Sequence, residues 1–407
     1  MAGDTGDTGS DEIVFEDDVI DRHVGDRRAP KRLSRRSVVI GGVGVVGLTV
    51  VGGVVVARNQ DAMAPPLDDL ASSQPDVTQA SSQPDDVTLP VGEFDEVDGI
   101  SAFTTPLDEQ FLIDAAFEKP RVDPETYTLS IGGPYVRNPL TLTYDDLLNR
   151  EHVTRQAALV CISNPVGGDL VSNIVWTGIP LSSLLDEAGI DDPMNPDRQI
   201  FPRGADGYPG GFRAPLAYDG RTAMVALFQN GEPLDRNHGF PARLVVAGDY
   251  AQTSAIKWLE SIEVNDFYEV DSFWVPRGWA KEAPVKISSR IDTMSNVDPV
   301  AGTHTIGGVA WAPPLGIDRV EVSIARADVV RAAESFDNAT WQDAEVGATD
   351  SDETWVQWAF DWEATPGEWV IRVRATDKSG FTQPADPVAP APDGSEGHHL
   401  TLVRVLA

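Results

Sequence analysis

The chain contains a single cysteine, Cys161, among its 407 residues. A lone thiol cannot close an intramolecular disulfide, so it is an inert buried side chain, a reactive nucleophile or a metal ligand. Residues 153–160 read as a β-strand, and Gly167 and Gly168 follow within a loop. The sequence therefore predicts that Cys161 ends a strand and faces a loop that leaves room for a bound group.

Further residues along the chain could bind an anionic group. Arg243 has a planar fork that suits phosphate, whereas Lys257 supplies a flexible point charge. The imidazole of His238 can donate or accept a hydrogen bond. Taken alone, Arg243 could equally be a surface cation, and Asp206 in GADGY could be a turn residue. These residue types therefore permit an anion-binding pocket without establishing one.

Five segments of the chain form an ordered series: PRVDPETYTLSIGG (120–133), LVCISNPVGGDLVSNIVWTGIPLSSLLDEAG (159–189), NGEPLDRNHGFPARLVV (230–246), SAIKWLESIEV (254–264) and FWVPRGWAKEAPVK (273–286). Taken in this order, they resemble the sulfite oxidase family of molybdopterin-dependent oxidoreductases. The series is a strong signal, and HGFPARLVV with IKWL downstream is more specific than any single cysteine.

The resemblance assigns roles to residues of this chain. In the family one cysteine thiolate holds molybdenum, which implies that Cys161 is both metal ligand and catalytic residue. The family's active-site tyrosine, in an Arg-x-Tyr pattern, aligns with Trp279, so Arg277 and Trp279 are the other catalytic candidates. The positions implied to contact the molybdopterin are Cys161, Asp206, His238, Arg243, Ala255, Ile256 and Lys257. The implied cofactor is molybdenum-molybdopterin.

The chain also departs from the family at positions that concern the substrate. Sulfite-oxidising members carry Arg-Asn-His shortly before the stretch that matches VDPETY, where this chain has Asp114-Ala115-Ala116. Pro165 follows the cysteine where the family has arginine, and the indole of Trp279 cannot titrate as a phenol does. An unpaired carboxylate at residue 114 would repel a sulfite dianion. We therefore expect weak or absent sulfite oxidation and better activity on an uncharged sulfoxide or N-oxide.

Acidic residues dominate the composition. The chain has 64 Asp and Glu against 31 Lys and Arg, for a formal net charge of −33. Nucleic acid is excluded as a partner, because phosphate binding needs a basic face. The acid excess resembles that of halophilic proteins, in which salt screens the repulsion between like charges. The alternative is an acidic, soluble surface in ordinary salt.

The N-terminal region predicts export. Residues 1–37 form an acidic, disordered tail that ends in Arg35-Arg36, and residues 38–57 are apolar and long enough to cross a bilayer as a helix. This pattern indicates a twin-arginine signal, either cleaved or kept as a membrane anchor. Residues 58–97, rich in Ser and Pro, predict a flexible linker. The rest of the chain is then extracytoplasmic.

Two folded domains are expected after the linker. Residues 98–290 predict an α+β domain, which the resemblance makes the molybdopterin-binding one. Residues 291–407 predict an all-β, immunoglobulin-like sandwich. Its candidate strands are His304–Trp311, Val320–Arg326, Trp341–Val346, Trp355–Trp362, Trp369–Ala375 and His399–Val405. In the family this second domain forms a dimer contact, so we expect a homodimer.

The interpretation favoured by the sequence is an exported molybdopterin-dependent oxidoreductase. It carries out two-electron, oxygen-atom-transfer-type chemistry on a small molecule. The single cysteine excludes a CxxCH haem site and iron–sulfur ligation in these residues, so electrons pass to or from a separate carrier. That carrier is a cytochrome, another redox protein or a quinone pathway. The alternatives are a tethered, non-catalytic binding protein, a true sulfite oxidase, or a thiol hydrolase using Cys161 with His152 or His238.

Overall fold

Two five-stranded sheets form the first part of the chain. The structure, a computed structural model, describes residues 38–39, 87–116, 118–294, 297–332 and 339–407. The strands of this part are β1 (Val38–Val39), β2 (Ile113–Asp114), β3 (Thr128–Gly132), β4 (Leu140–Thr143), β5 (Val153–Val160), β6 (Val171–Pro180), β7 (Arg198–Gly204), β8 (Phe212–Arg213), β9 (Ala223–Gln229), β10 (Glu232–Pro233), β11 (Arg243–Val246) and β12 (Leu259–Asp266). One sheet has the order β10-β9-β6-β5, with β11 also paired to β9, and the other has the order β4-β3-β12-β7-β8. Between them lies a common core that includes Leu129, Ile179 and Leu244.

Short helices connect these strands, and their ends follow from local sequence. They are α1 (Tyr144–Leu148), α2 (Leu181–Ala188) and α3 (Ala251–Ser254). Thr143 begins α1 with a reciprocal capping box to Asp146. Pro180 precedes α2, and Gly189 ends it with a φ of 69°. The ends of both helices are therefore encoded in adjacent residues.

The second part of the chain is a pair of four-stranded antiparallel sheets. Its elements are β13 (Ser288–Ile291), β14 (Gly302–Trp311), β15 (Ile317–Arg326), α4 (Ala327–Ala332), β16 (Gln342–Asp343), β17 (Glu345–Val346), β18 (Val356–Ala364), β19 (Gly367–Asp377) and β20 (His399–Val405). The sheet orders are β13-β14-β18-β17 and β16-β15-β19-β20. Alternate residues of β18, among them Val356, Trp358 and Trp362, are buried in the core of this part.

Two predictions about the fold need correction. The single strand over residues 341–346 is wrong, because β16 pairs with β15 and β17 pairs with β18, so this segment passes from one sheet to the other. The first part is richer in strands than an α+β prediction implies, since its helices have only 5, 8 and 4 residues. Near the end of the predicted linker, the backbone N–H of Phe94 donates to the side chain of Gln357 at 3.0 Å.

The predictions for the acidic tail, the twin-arginine motif, nearly all of the apolar segment and most of the linker lie outside the described residues. Of that region the structure gives Val38–Val39, paired in parallel with Ile113–Asp114. Within the described residues, no helix is long and apolar enough to cross a membrane.

Candidate active site

One cavity collects most of the predicted site residues. Its walls come from the residues after β5, the loop after β7, the start of β11 and the segment between α3 and β12. The predicted residues that line it are Cys161, Asp206, His238, Arg243, Ala255, Ile256, Lys257 and Trp279. These residues are separated by up to 118 positions in the chain, so the fold rather than local sequence brings them together.

Cys161 directly follows β5, as predicted, and its side chain is almost fully buried. Its Sγ lies 3.0 Å from the hydroxyl of Ser163. Burial raises the pKa of the thiol, although the hydrogen bonds from Ser163 act in the opposite direction. A free nucleophilic cysteine needs a lowered pKa, whereas a coordinating metal removes the proton outright. The environment of Cys161 therefore suits a metal ligand better than a hydrolase nucleophile.

His238 is held in a fixed orientation by Asp235, a residue that the sequence interpretation missed. Asp235 begins the turn Arg236–His238, and its carboxylate accepts from the backbone N–H of His238 at 3.0 Å and contacts Nδ1 at 2.5 Å. Burial raises the pKa of Asp235, but its hydrogen bonds and the His238 charge outweigh this and hold the pKa at about 2. The available signal was an aspartate three residues before the histidine. The ring therefore presents Nε2 at the cavity with its orientation already set.

Arg243 is a fully buried cation at the start of β11. Its Nη1 donates to the carbonyl of His238 at 3.0 Å, and its guanidinium carbon lies 4.9 Å from the Trp176 ring centroid. Burial lowers the pKa of Arg243 to about 10, while the charges of Asp235 and Asp114 raise it. Among the described residues Arg243 has no bidentate carboxylate partner, so it is suited to receive an anionic group of a ligand.

Lys257 forms a buried ion pair with Asp114, which lies on β2. Its Nζ contacts Asp114 Oδ1 and donates to the carbonyl of Asn237 at 3.1 Å. Burial lowers the pKa of Lys257 to about 8, even though Asp114 raises it. The premise that Asp114 is an unpaired carboxylate is therefore wrong: a lysine 143 residues away compensates its charge.

The remaining wall is aromatic. Trp279 faces Trp274 with ring centroids 6.5 Å apart in an edge arrangement, and both line the cavity. Tyr208 also lines it, donates from its hydroxyl to the carbonyl of Gln252 at 2.7 Å, and donates its N–H to Asp206 at 3.0 Å. Burial raises the pKa of Asp206. Asp206 is thus a turn residue and a cavity residue at once.

Two predicted side chains lie elsewhere. Arg277 is exposed, with its guanidinium carbon 3.7 Å from the Phe273 ring centroid, and it does not line the cavity. His152 contacts the carbonyl of Leu147 at 3.0 Å and does not line the cavity. The described contacts therefore do not pair Cys161 with His152, which is one of the two histidines considered for a thiol hydrolase.

Comparison with known proteins gives the class. Residues 116–274 match the family described as the oxidoreductase molybdopterin binding domain. The chain is 32% identical over 303 residues to mitochondrial sulfite oxidase of Drosophila melanogaster, covering 64% of this chain and 51% of the fly protein. It is 31% identical over 171 residues to an NADH nitrate reductase of Solanum lycopersicum, covering 36% of this chain and 18% of the plant protein. It thus spans about half of the fly protein and less of the plant one.

A solved structure supports the fold. The sulfane dehydrogenase SoxCD from Paracoccus pantotrophus superposes with a TM-score of 0.61 and 22% identity, covering 84% of this chain and 97% of that one. The family match and the cavity together define a molybdopterin-binding oxidoreductase domain. Within that class, the chain is similar to sulfite oxidase and nitrate reductase, in agreement with the resemblance that its sequence predicts. The match to the molybdopterin binding domain and these relatives together imply a molybdenum cofactor.

The residues that are present fit such a cofactor. Two cavity-lining nitrogens, His238 Nε2 and Arg243 Nε, are buried without a hydrogen-bond partner among the described residues. The side-chain oxygen Oε1 of Gln252 is in the same state. Buried polar groups are costly unless paired, so a polar ligand would satisfy all three. A soft sulfur donor, Cys161, completes the set.

Proposed function

We propose that this chain is an exported molybdopterin-dependent oxidoreductase in which Cys161 ligates the metal. The observation that carries the proposal is the cavity where this lone cysteine meets the buried His238 and Arg243. When bound, the molybdenum cofactor supplies two-electron, oxygen-atom-transfer-type chemistry. Cys161 supplies the thiolate, and Arg243 receives anionic parts of the pterin through its unpaired Nε. Asp235 fixes the His238 ring so that Nε2 remains available for a hydrogen bond.

The other walls position the substrate. Trp274 and Trp279 provide rigid aromatic surface that excludes water and packs against an organic group. Asp206, Ala255 and Ile256 complete the wall on the pterin side, and Lys257 lies beside them in its ion pair with Asp114. Arg277, which is exposed, has no part in this proposal.

The electron path and the cellular setting form part of the same proposal. The 407 residues contain one cysteine, so no iron–sulfur cluster is held by this chain and electrons are exchanged with a separate carrier. Arg35-Arg36 ahead of an apolar segment supports twin-arginine export of the folded, loaded protein. The acid excess supports a high-salt environment. The paired sheets β13–β20 support an immunoglobulin-like domain that contributes to a homodimer.

Metal analysis of the purified protein tests this proposal. Protein from a molybdenum-sufficient host should contain about one molybdenum per chain, because one soft ligand set is present. Cys161→Ser should abolish turnover, since an alkoxide is a poor substitute for a thiolate. Thr154→Ser, on the same strand but outside the cavity, is the matched control and should retain metal and activity. Active protein without molybdenum would refute the proposal, and inactive protein without it would favour a binding role.

A further inference from the structure

A buried carboxylate lies between two lysines at the edge of the cavity. Asp114 is 4% exposed; its Oδ1 contacts Lys257 Nζ, and its Oδ2 is 3.5 Å from Lys119 Nζ. Both ammonium groups also donate to Asn237, Lys257 to its backbone carbonyl at 3.1 Å and Lys119 to its side-chain oxygen at 2.9 Å. The Asp114 carboxylate therefore contacts two lysine ammonium groups, and both of these are also held by Asn237.

In the described part of the chain, the cavity is lined by equal numbers of cationic side chains and carboxyl groups. Among the described lining residues, the cationic side chains are Arg243 and Lys257, and the carboxyl groups are those of Asp114 and Asp206. Asp114 is the carboxylate in direct contact with a lining cation, whereas Asp206 accepts a hydrogen bond from the Tyr208 N–H. Removing the charge of Asp114 would leave Lys257 uncompensated in a buried position.

We propose that Asp114 determines substrate specificity: as the built-in counter-ion of Lys257, it makes the cavity accept uncharged substrates and reject oxyanions. This rests on the proposed function in one respect, which is that the cavity is the substrate site. An oxyanion that approached Lys257 would meet the Asp114 charge or would displace it. A carboxylate displaced from Lys257 would stay buried with Lys119, 3.5 Å from its Oδ2, as its remaining cation, which is unfavourable. A neutral molecule incurs neither penalty.

Titration of the purified full chain with inorganic sulfate, followed by tryptophan fluorescence, tests this inference. Lys257 Nζ lies 4.9 Å from the Trp258 ring centroid, and Trp274 and Trp279 line the cavity, so binding there should change the emission. Ionic strength is held constant with chloride. Asp114→Asn keeps the side-chain shape but removes the charge, and we expect the sulfate affinity to rise at least about tenfold. If the Asp114→Asn variant does not fold, Asp114→Ser takes its place, and the same rise in sulfate affinity is expected.

Two further variants separate the effect of the Asp114–Lys257 pair from that of a general change in charge. Asp123→Asn removes the same charge from an exposed position outside the cavity and should leave sulfate affinity at the wild-type level. Asp114→Asn combined with Lys257→Met should lose the gain, because the released cation is gone. Wild-type protein that binds sulfate as tightly as Asp114→Asn, or an equal gain in Asp123→Asn, would overturn the inference.

Molybdenum content measured on the same samples separates this inference from the proposed function. The expected sulfate pattern in active protein that contains no molybdenum would overturn the proposed function and leave the role of Asp114 standing. A normal molybdenum content and turnover, with wild-type sulfate binding unchanged by Asp114→Asn, would overturn the role of Asp114 alone.

Discussion

Asp249 is a carboxylic acid placed in the protein interior, two residues before α3 and so next to the cavity wall. It is 5% exposed, and its Oδ2 accepts from the hydroxyl of Thr253 at 2.6 Å. Burial raises the pKa of Asp249 to about 7, although the Thr253 hydrogen bond and the charge of Arg221 act to lower it. The folded protein therefore retains a proton on Asp249 under conditions where an unfolded chain has lost it.

This difference predicts a pH dependence of stability. The pKa of Asp249 is about 7 when folded, against about 3.9 for an unfolded aspartate, so the folded state binds more protons between these values. The Asp249 contribution to the free energy of unfolding should thus fall as pH rises from about 4 to 7 and stay level above. Asp249→Asn keeps an oxygen for Thr253 and should be more stable than wild type at pH 8 by a few kcal/mol. Melting temperatures across this range check it, with exposed Asp108→Asn as control. Parallel curves for wild type and Asp249→Asn would contradict it.

The site residues differ in how well the sequence predicts their positions in the fold. Cys161 was predictable because a strand pattern and two glycines flank it. The Asp114–Lys257 pair was not, because its members are 143 positions apart and only the fold brings β2 against the segment before β12. Arg277 lies two residues from Trp279, but its side chain packs on Phe273 while Trp279 lines the cavity. A sequence alignment does not show the direction of a side chain.

At the scale of elements, β6 is a central strand of the sheet whose strand β5 leads into Cys161. Its residues are nearly all buried, and it pairs with both β5 and β9. The β6–β9 register shifts between Thr177 and Gly178. A Cβ on Gly178 would lie 2.1 Å from the Val225 carbonyl oxygen and 2.6 Å from the Ala226 Cα. Both atoms belong to the backbone of β9, so only displacement of a strand could relieve the clash.

Gly178→Ala should therefore destabilise the fold. Because neither backbone can move without breaking ladder hydrogen bonds, we expect a loss of about 3 kcal/mol in the free energy of unfolding. Gly132→Ala is the matched control, since its added Cβ would meet only Pro139 at 3.9 Å. Denaturant unfolding of the two variants is the measurement. Equal stability of Gly178→Ala and Gly132→Ala would show that β6 and β9 separate more freely than the structure implies.

Element boundaries were predictable where they depend on adjacent residues and not where they depend on partners. The ends of α1 and α2 follow from Thr143, Pro180 and Gly189. The segment 341–346 reads as one strand because alternation gives no information on pairing. In the fold its two halves pair with β15 and β18, which belong to different sheets.

At the scale of the whole molecule, the two parts share a core. Val160 and Ile162, on either side of Cys161, pack in one cluster with Trp311 and Trp355 of the second part. The backbone N–H of Ala158 in β5 donates to the Glu353 carbonyl at 2.8 Å. Ile162 also lines the cavity. The second part thus supports the strand that presents the cysteine, besides any role in assembly.

Exposed apolar side chains indicate which part would assemble. Eight of the twelve exposed large hydrophobic side chains among the described residues lie between residues 297 and 406. One of them, Leu400, is 49% exposed on β20, which is an edge strand of its sheet. Edge strands with apolar side chains are prone to pair with another chain. The chain's net charge of −33, by contrast, opposes the approach of a second copy unless salt screens it.

The dimer should therefore form in high salt through the second part. At 1 M salt the screening length is about 3 Å, so repulsion between copies is confined to direct contacts. Light scattering of the chain from residue 87 onward should give a dimer at molar potassium chloride. Leu400→Lys should weaken it about tenfold, because a buried apolar anchor is replaced by a charge. Met194→Lys changes a side chain of similar exposure in the first part and should leave the dimer intact. A monomer at every salt concentration, or equal weakening by both variants, would contradict assembly through this edge.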